Sequence, residues 1–252
     1  MTDLPEVNFS DHGDIRYLHL GSEWVQGSMR LDAPFEIDLE YVQRMMAWLL
    51  FVPPRSVATR HAMQLGLGAG ALTKFCRRKL KMKTTAIELN PQVVAACRIW
   101  FKLPADDAKL SVVIGDAAEV VAHEHWRGQV DALQVDLYDH EAAAPVLDSA
   151  DFYRDCRELL TADGAMTVNL FGRSSSYERS LAHIAAAFGE SALWAFRPTR
   201  EGNTVVVALR EAREVPRAEL LTSADAVQGL WGLPAKKWLR VLKPVADKLS
   251  PQ

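Results

Sequence analysis

Four short stretches of this chain carry residue types and spacings that can do chemistry. The first is a glycine turn, Leu65-Gly66-Leu67-Gly68-Ala69-Gly70-Ala71, between a short apolar run and a helical one. Gly66, Gly68 and Gly70 let the backbone approach a ligand closely, and the following helix start presents free N–H groups. The second is Glu88, eighteen residues after Gly70 at the end of the next strand, where a carboxylate can accept both hydroxyls of a ribose. The third, Gly115-Asp116-Ala117, ends a further strand and offers Asp116 to the amino group of adenine. Each acid alone is an ordinary cap or turn residue, but three such elements on successive strand tips describe a nucleoside site. The fourth is Val135-Asp136-Leu137-Tyr138-Asp139-His140. Asp136 at a strand tip and Asp139 in the loop form a carboxylate pair that can bind ammonium groups and take a proton from an attacking amine. Tyr138 adds a wall to such an amine pocket, and His140 is a further candidate base or a solvated loop residue. The simpler alternative makes one aspartate a helix cap and leaves the other in water.

Spacing narrows the ligand. A dinucleotide turn reads G-x-G-x-x-G and seats a diphosphate on the helix, whereas here the third glycine comes one residue early and Ala71 follows it. No G-K-[ST] follows either, so a P-loop is excluded. The turn fits a sulfonium nucleoside, S-adenosylmethionine or its decarboxylated form, as co-substrate; no metal ligand set or prosthetic group is indicated.

These residues need a scaffold of strand tips. Apolar runs at 62–65, 84–88, 110–114, 131–135 and 165–170 alternate with helical segments at 71–81, 91–101, 150–160 and 177–188. Two last strands, 192–197 and 204–209, are joined without room for a helix and should form a hairpin. The expected fold is α/β: a mostly parallel seven-stranded sheet with a terminal antiparallel strand and helices on both faces. Three regions follow: residues 1–58 with short antiparallel strands and a helix over 38–52 capped by Asp38, a nucleoside-binding catalytic domain over 59–211, and a helical tail over 212–252.

Composition bounds the partners. Of 252 residues 49% are hydrophobic and 24% charged, and the net charge of −3 speaks against nucleic acid as a partner. The longest apolar run, 45–52, is far short of the ~20 residues of a membrane span, and the first residues do not resemble a signal peptide. A cytoplasmic, reducing setting is expected, with Cys76, Cys97 and Cys156 as buried thiols, because no C-x-x-C occurs. The tail places Trp231, Trp238, Leu239, Val241 and Leu242 beside Lys236, Lys237, Arg240 and Lys243. Packing on the main domain or a sister subunit is expected of it, ahead of a membrane contact.

Taken together, Gly66–Gly70, Ile87-Glu88-Leu89-Asn90-Pro91, Gly115-Asp116-Ala117 and Asp136-Leu137-Tyr138-Asp139 resemble the spermidine synthase (polyamine aminopropyltransferase) family. That family lies within the Rossmann-like methyltransferase superfamily. The likeness spans roughly residues 15–210 and includes Phe152-Tyr153-Arg154 and Asp163-Gly164. It implies a Rossmann-like methyltransferase fold, Glu88 on the ribose, Asp116 and Ala117 at the adenine, Asp136 as base and Asp139 on the polyamine. It also implies a homodimer, and transfer of an aminopropyl group from decarboxylated S-adenosylmethionine to putrescine or a related amine. This chain departs from the family pattern in three places. Ala69 replaces the acid that helps hold the aminopropyl ammonium; Leu137, Tyr138 and His140 alter the loop after the fourth strand; and only Tyr17-Leu18-His19 loosely matches the family's N-terminal tyrosine and histidine. Two other functions therefore stay open: methyl transfer from intact S-adenosylmethionine, and nucleoside or protein binding without catalysis.

Overall fold

The computed structural model describes residues 4–138, 147–171 and 174–246. An antiparallel three-stranded sheet comes first, β1 (Val7–His12), β2 (Ile15–Leu20) and β3 (Val25–Arg30), in that spatial order. The expected single helix over 38–52 does not form. Helix α1 is only Glu40–Arg44, and Ala47–Phe51 is a 3-10 turn. The carbonyl of Met45 explains the break: it accepts the Thr167 hydroxyl at 2.9 Å and the Gln134 amide at 3.3 Å. Leu49 N–H turns to Met46 O instead, at 3.1 Å. Every residue from Met45 to Leu50 is at most 1% exposed, so this run is buried all round and has no solvent face. Nor does Asp38 cap α1; its carboxylate accepts the Ser28 hydroxyl at 2.7 Å.

The main sheet is built from β4 (His61–Leu65), β5 (Lys83–Glu88), β6 (Leu110–Ile114), β7 (Val130–Val135), β8 (Leu160–Phe171), β9 (Leu193–Phe196) and β10 (Asn203–Leu209). Strands β6, β5, β4, β7 and β8 run parallel, and β10 pairs antiparallel with both β8 and β9. The last strand of the series is antiparallel, as expected, but lies between β8 and β9 and not at an edge. An eighth strand, β11 (Leu242–Pro244), comes from the tail and pairs with β9. Helices α7 (Arg217–Trp231) and α8 (Ala235–Trp238) precede it, and the rings of Trp238 and Phe196 meet edge to face at 6.4 Å. The tail's apolar side is thus buried on the body of the protein.

The 71–81 segment also departs from a plain helix: α2 (Ala71–Lys74) widens into a π-helical turn over Phe75–Lys79. Leu72 to Cys76 are five consecutive buried residues, more than one stripe of an α-helix can hide. The extra residue of a π turn lets Phe75 and Cys76 both face the core. Helices α3 (Pro91–Trp100), α4 (Ala117–Ala122), α5 (Ala150–Leu159) and α6 (Ser174–Phe188) complete the crossovers. Among the described residues no helix is long and apolar enough to cross a membrane. The three cysteines are buried and free.

From β4 the chain winds outward through β5 and β6, then returns to β7 on the other side of β4. Such a reversal opens a crevice at the carboxyl ends of the strands.

Candidate active site

A cavity of about 830 Å³ fills that crevice, roofed by β3 and by residues 38–42. Its floor is the set of strand tips. After β4, Gly66 (φ +88°) and Gly68 (φ +50°) take left-handed backbone that only glycine adopts freely. Gly66 N–H donates to Ile87 O at 2.9 Å and Asp136 N–H to Leu65 O at 3.0 Å, so the tips of β4, β5 and β7 are tied together. Ala69 is 2% exposed and lies under Gly27 of β3, where any Cβ would press on Ala69 at 2.7 Å. Gly70 (φ +70°) starts α2 but is not on the cavity wall; its nearest side chain is Leu103.

Glu88 ends β5. Its carboxylate accepts the backbone N–H groups of Leu67 (3.0 Å) and Asn90 (2.9 Å), while burial pushes its pKa up despite those donors. A carboxylate has about four acceptor positions, so these backbone donors leave capacity for a ligand. Asp116 is the N-cap of α4, accepting Ala118 N–H at 2.8 Å, and it also lines the cavity beside Ala117. Cap and wall are here one residue.

At the other end stands Asp136. Its two oxygens take one donor each, the Tyr41 hydroxyl at 3.2 Å and the Asn169 amide at 3.0 Å. Burial nonetheless pushes its pKa up to about 6, outweighing both hydrogen bonds. Tyr138 lines the same end, but its hydroxyl is committed: it donates to Asn169 O at 2.8 Å and accepts Phe171 N–H at 2.6 Å. Asp139 and His140 lie outside the described residues. Tyr17 and His19 are not on the wall; His19 bonds Ser10 at 2.8 Å and Trp24 O at 3.2 Å.

Two partners of Asp136 were not foreseen from the sequence. Tyr41 is 95 residues away in the chain, within the 38–52 stretch whose spacing predicts one helix. Asn169 had a readable signal: a polar residue near the tip of an apolar strand, the very feature that singled out Glu88 and Asp136. Tyr41→Phe removes one donor from the carboxylate. Asp136 is expected to titrate above its present value of about 6, by at most about one pH unit given ~1 kcal/mol for such a bond. Carboxyl ¹³C NMR over about two pH units on either side of that value checks this.

Charge is the cavity's clearest property. Glu23, Asp38, Glu40, Glu88, Asp116, Asp136 and Glu201 all line it, and among the described residues no lysine, arginine or histidine does. Among the described residues Glu40 is the one of these acids in an ion pair, with Arg44 at 2.6 Å, and the Arg30 guanidinium, itself bound to Asp32, acts on Asp38 at longer range. Such a chamber accepts cations and repels anions.

No family model matches the chain. It is 34% identical to a polyamine aminopropyltransferase of Neisseria meningitidis serogroup A, over 95% of this chain and 90% of that protein. The corresponding enzyme of Chromobacterium violaceum is 33% identical over the same shares. Among solved structures, a probable spermidine synthase from Corynebacterium glutamicum superposes with a TM-score of 0.77 over 98% of this chain and 91% of its own, at 16% identity. That last likeness carries the fold, and the first two carry descent. With a third of its residues shared over nearly the full length of both chains, the protein belongs to the polyamine aminopropyltransferase family, and with it to the transferases.

Proposed function

We propose that the cavity transfers an aminopropyl group from decarboxylated S-adenosylmethionine to putrescine or a related small amine. The observation that carries this reading is the acidic lining without a single facing cation among the described residues. Both substrates are cations. The carboxylate of intact S-adenosylmethionine would meet no positive partner, and one unpaired anion 4 Å away costs about 4 kcal/mol at an effective dielectric of 20. The missing acid at Ala69 is thus outweighed by acids elsewhere on the wall, and methyl transfer becomes the second reading.

In this assignment Glu88 holds the ribose hydroxyls, Asp116 and Ala117 border the adenine, and the Gly66 and Gly68 backbone lies along the sulfur. Gly70 shapes the turn from behind. Asp136 is the base, Tyr138 a wall, and Asp139 binds the amine from the loop. The amine nitrogen attacks the carbon beside the sulfonium, the C–S bond breaks, and its electron pair leaves on sulfur as neutral methylthioadenosine. One N–H proton passes to Asp136. Raising that base from 3.8 to about 6 narrows its gap to an amine of pKa ~10.4 by about 3 kcal/mol. Alignment in a closed chamber supplies much of the remainder. Three buried free thiols suit a reducing, cytoplasmic setting.

The test is one incubation with two donors. With decarboxylated S-adenosylmethionine and putrescine the protein is expected to release methylthioadenosine. With intact S-adenosylmethionine it should release nothing; S-adenosylhomocysteine in that arm would assign methyl transfer instead.

A further inference from the structure

The proposed donor ends in an ammonium three carbons from its sulfur, and the glycine loop offers that group no charge. Position 69 is alanine, packed beneath Gly27. Some other acid must face the ammonium, and the acids on the wall among the described residues can be sorted by what already occupies them. Glu88 and Asp116 hold backbone N–H groups at the nucleoside end. Asp136 is bracketed by Tyr41 and Asn169 at the reacting centre. Glu40 is paired with Arg44, while Glu23 and Glu201 are solvent-exposed.

Asp38 remains. It is part-buried and makes no direct ion pair among the described residues; the nearby Arg30 guanidinium is bound to Asp32 and acts on it only at longer range. The hydroxyl of Ser28, only 4% exposed, donates to one of its oxygens at 2.7 Å, and the other has no hydrogen-bond partner among the described residues. Ser28 follows Gly27, the residue seated on Ala69, and Asp38 stands three residues before Tyr41, which bonds the base. The carboxylate therefore lies on the roof between the glycine loop and the reacting centre. A tail whose other end is being attacked at Asp136 has its ammonium there.

Resting on the proposed function, we infer that Asp38 is the donor-specificity residue of this protein: its carboxylate, set by Ser28, receives the aminopropyl ammonium in place of an acid at position 69. The charge has moved from the floor of the cavity to its roof. An ammonium is drawn to it, and a donor that carries a carboxylate as well is repelled.

Calorimetric titration of the purified protein with decarboxylated S-adenosylmethionine and, separately, with methylthioadenosine tests this without turnover. The two ligands share the nucleoside, and only the first has the ammonium. Asp38→Asn keeps the shape and the Ser28 contact. It is expected to weaken the decarboxylated donor roughly 10- to 100-fold and to leave methylthioadenosine within about twofold. Ser28→Ala should move the donor in the same direction by a smaller factor. Equal weakening of both ligands would make Asp38 structural and overturn the inference. So would a Kd for the donor that does not change, or a rise in the KM for putrescine with the donor unaffected, which would place the amine acceptor there. If the unaltered protein binds methylthioadenosine but not the decarboxylated donor, the proposed function itself fails.

Discussion

Asp136→Asn is expected to lower the rate of methylthioadenosine release about a thousandfold, within the usual range for loss of a general base, with nucleoside binding unchanged. The substitution is isosteric. Its amide can still meet Tyr41 and Asn169, because a tyrosine hydroxyl accepts as well as donates, so the local fold should survive. What disappears is the site for the proton that the amine must lose. The native pH profile carries the same signature. Burial holds Asp136 at about 6, and only its anionic form can accept a proton. Activity should therefore fall as pH drops through about 6 and level off above 7, whereas the variant's residual rate should show no such limb. Rate measurements from about one pH unit below the Asp136 value to about two above it, with calorimetry of methylthioadenosine, check both halves. A variant that keeps a tenth of the native rate would remove Asp136 from the role of base.

The succession of strands and the floor of the cavity were legible because local signals agree there. Runs of five or six largely buried residues mark β4, β5 and β7, glycines with positive φ follow β4, and an acid stands at the tips of β5 and β7. The roof was not legible. Tyr41 and Asp38 sit in a stretch whose apolar positions mimic a helix, and Asp38 has the composition of a cap. What decides their fate is the diversion of the Met45 carbonyl to Gln134 and Thr167, contacts that span 89 and 122 residues. A buried glutamine pair stands behind this: Gln64 donates to Gln134 at 2.8 Å, and Gln134 to Met45. No periodicity records such a tertiary override of propensity. The same holds for β11, a three-residue strand whose only reason to exist is the open edge of β9. Net charge misled in a quieter way. A total of −3 says little, yet seven acids line one cavity, and their placement, not their number, carries the functional meaning.

Gly66→Ala should be the most damaging single-methyl change in the site. Two separate penalties act there. At φ +88° an L-residue is strained, by about 1–2 kcal/mol. The new Cβ would also overlap the carbonyl oxygen of Asp136, and the atom in its way is backbone that cannot rotate aside. Relief requires the β4 and β7 tips to part, which breaks the Asp136 N–H bond to Leu65 O and carries the base away from Tyr41. A combined loss of about 3–5 kcal/mol is expected, lowering the melting temperature by roughly 10 °C for a chain of this size. Gly232→Ala separates the two penalties. Gly232 has φ +74° at the C-cap of α7, and a Cβ there meets nothing within 4 Å. It should therefore show the strain alone, about 1–2 kcal/mol, with methylthioadenosine binding intact. Thermal unfolding of both variants beside ligand titration decides the matter. Equal losses from the two would mean that the close approach of strand tips at Gly66 is not what holds the site together, and that the glycine serves its turn alone.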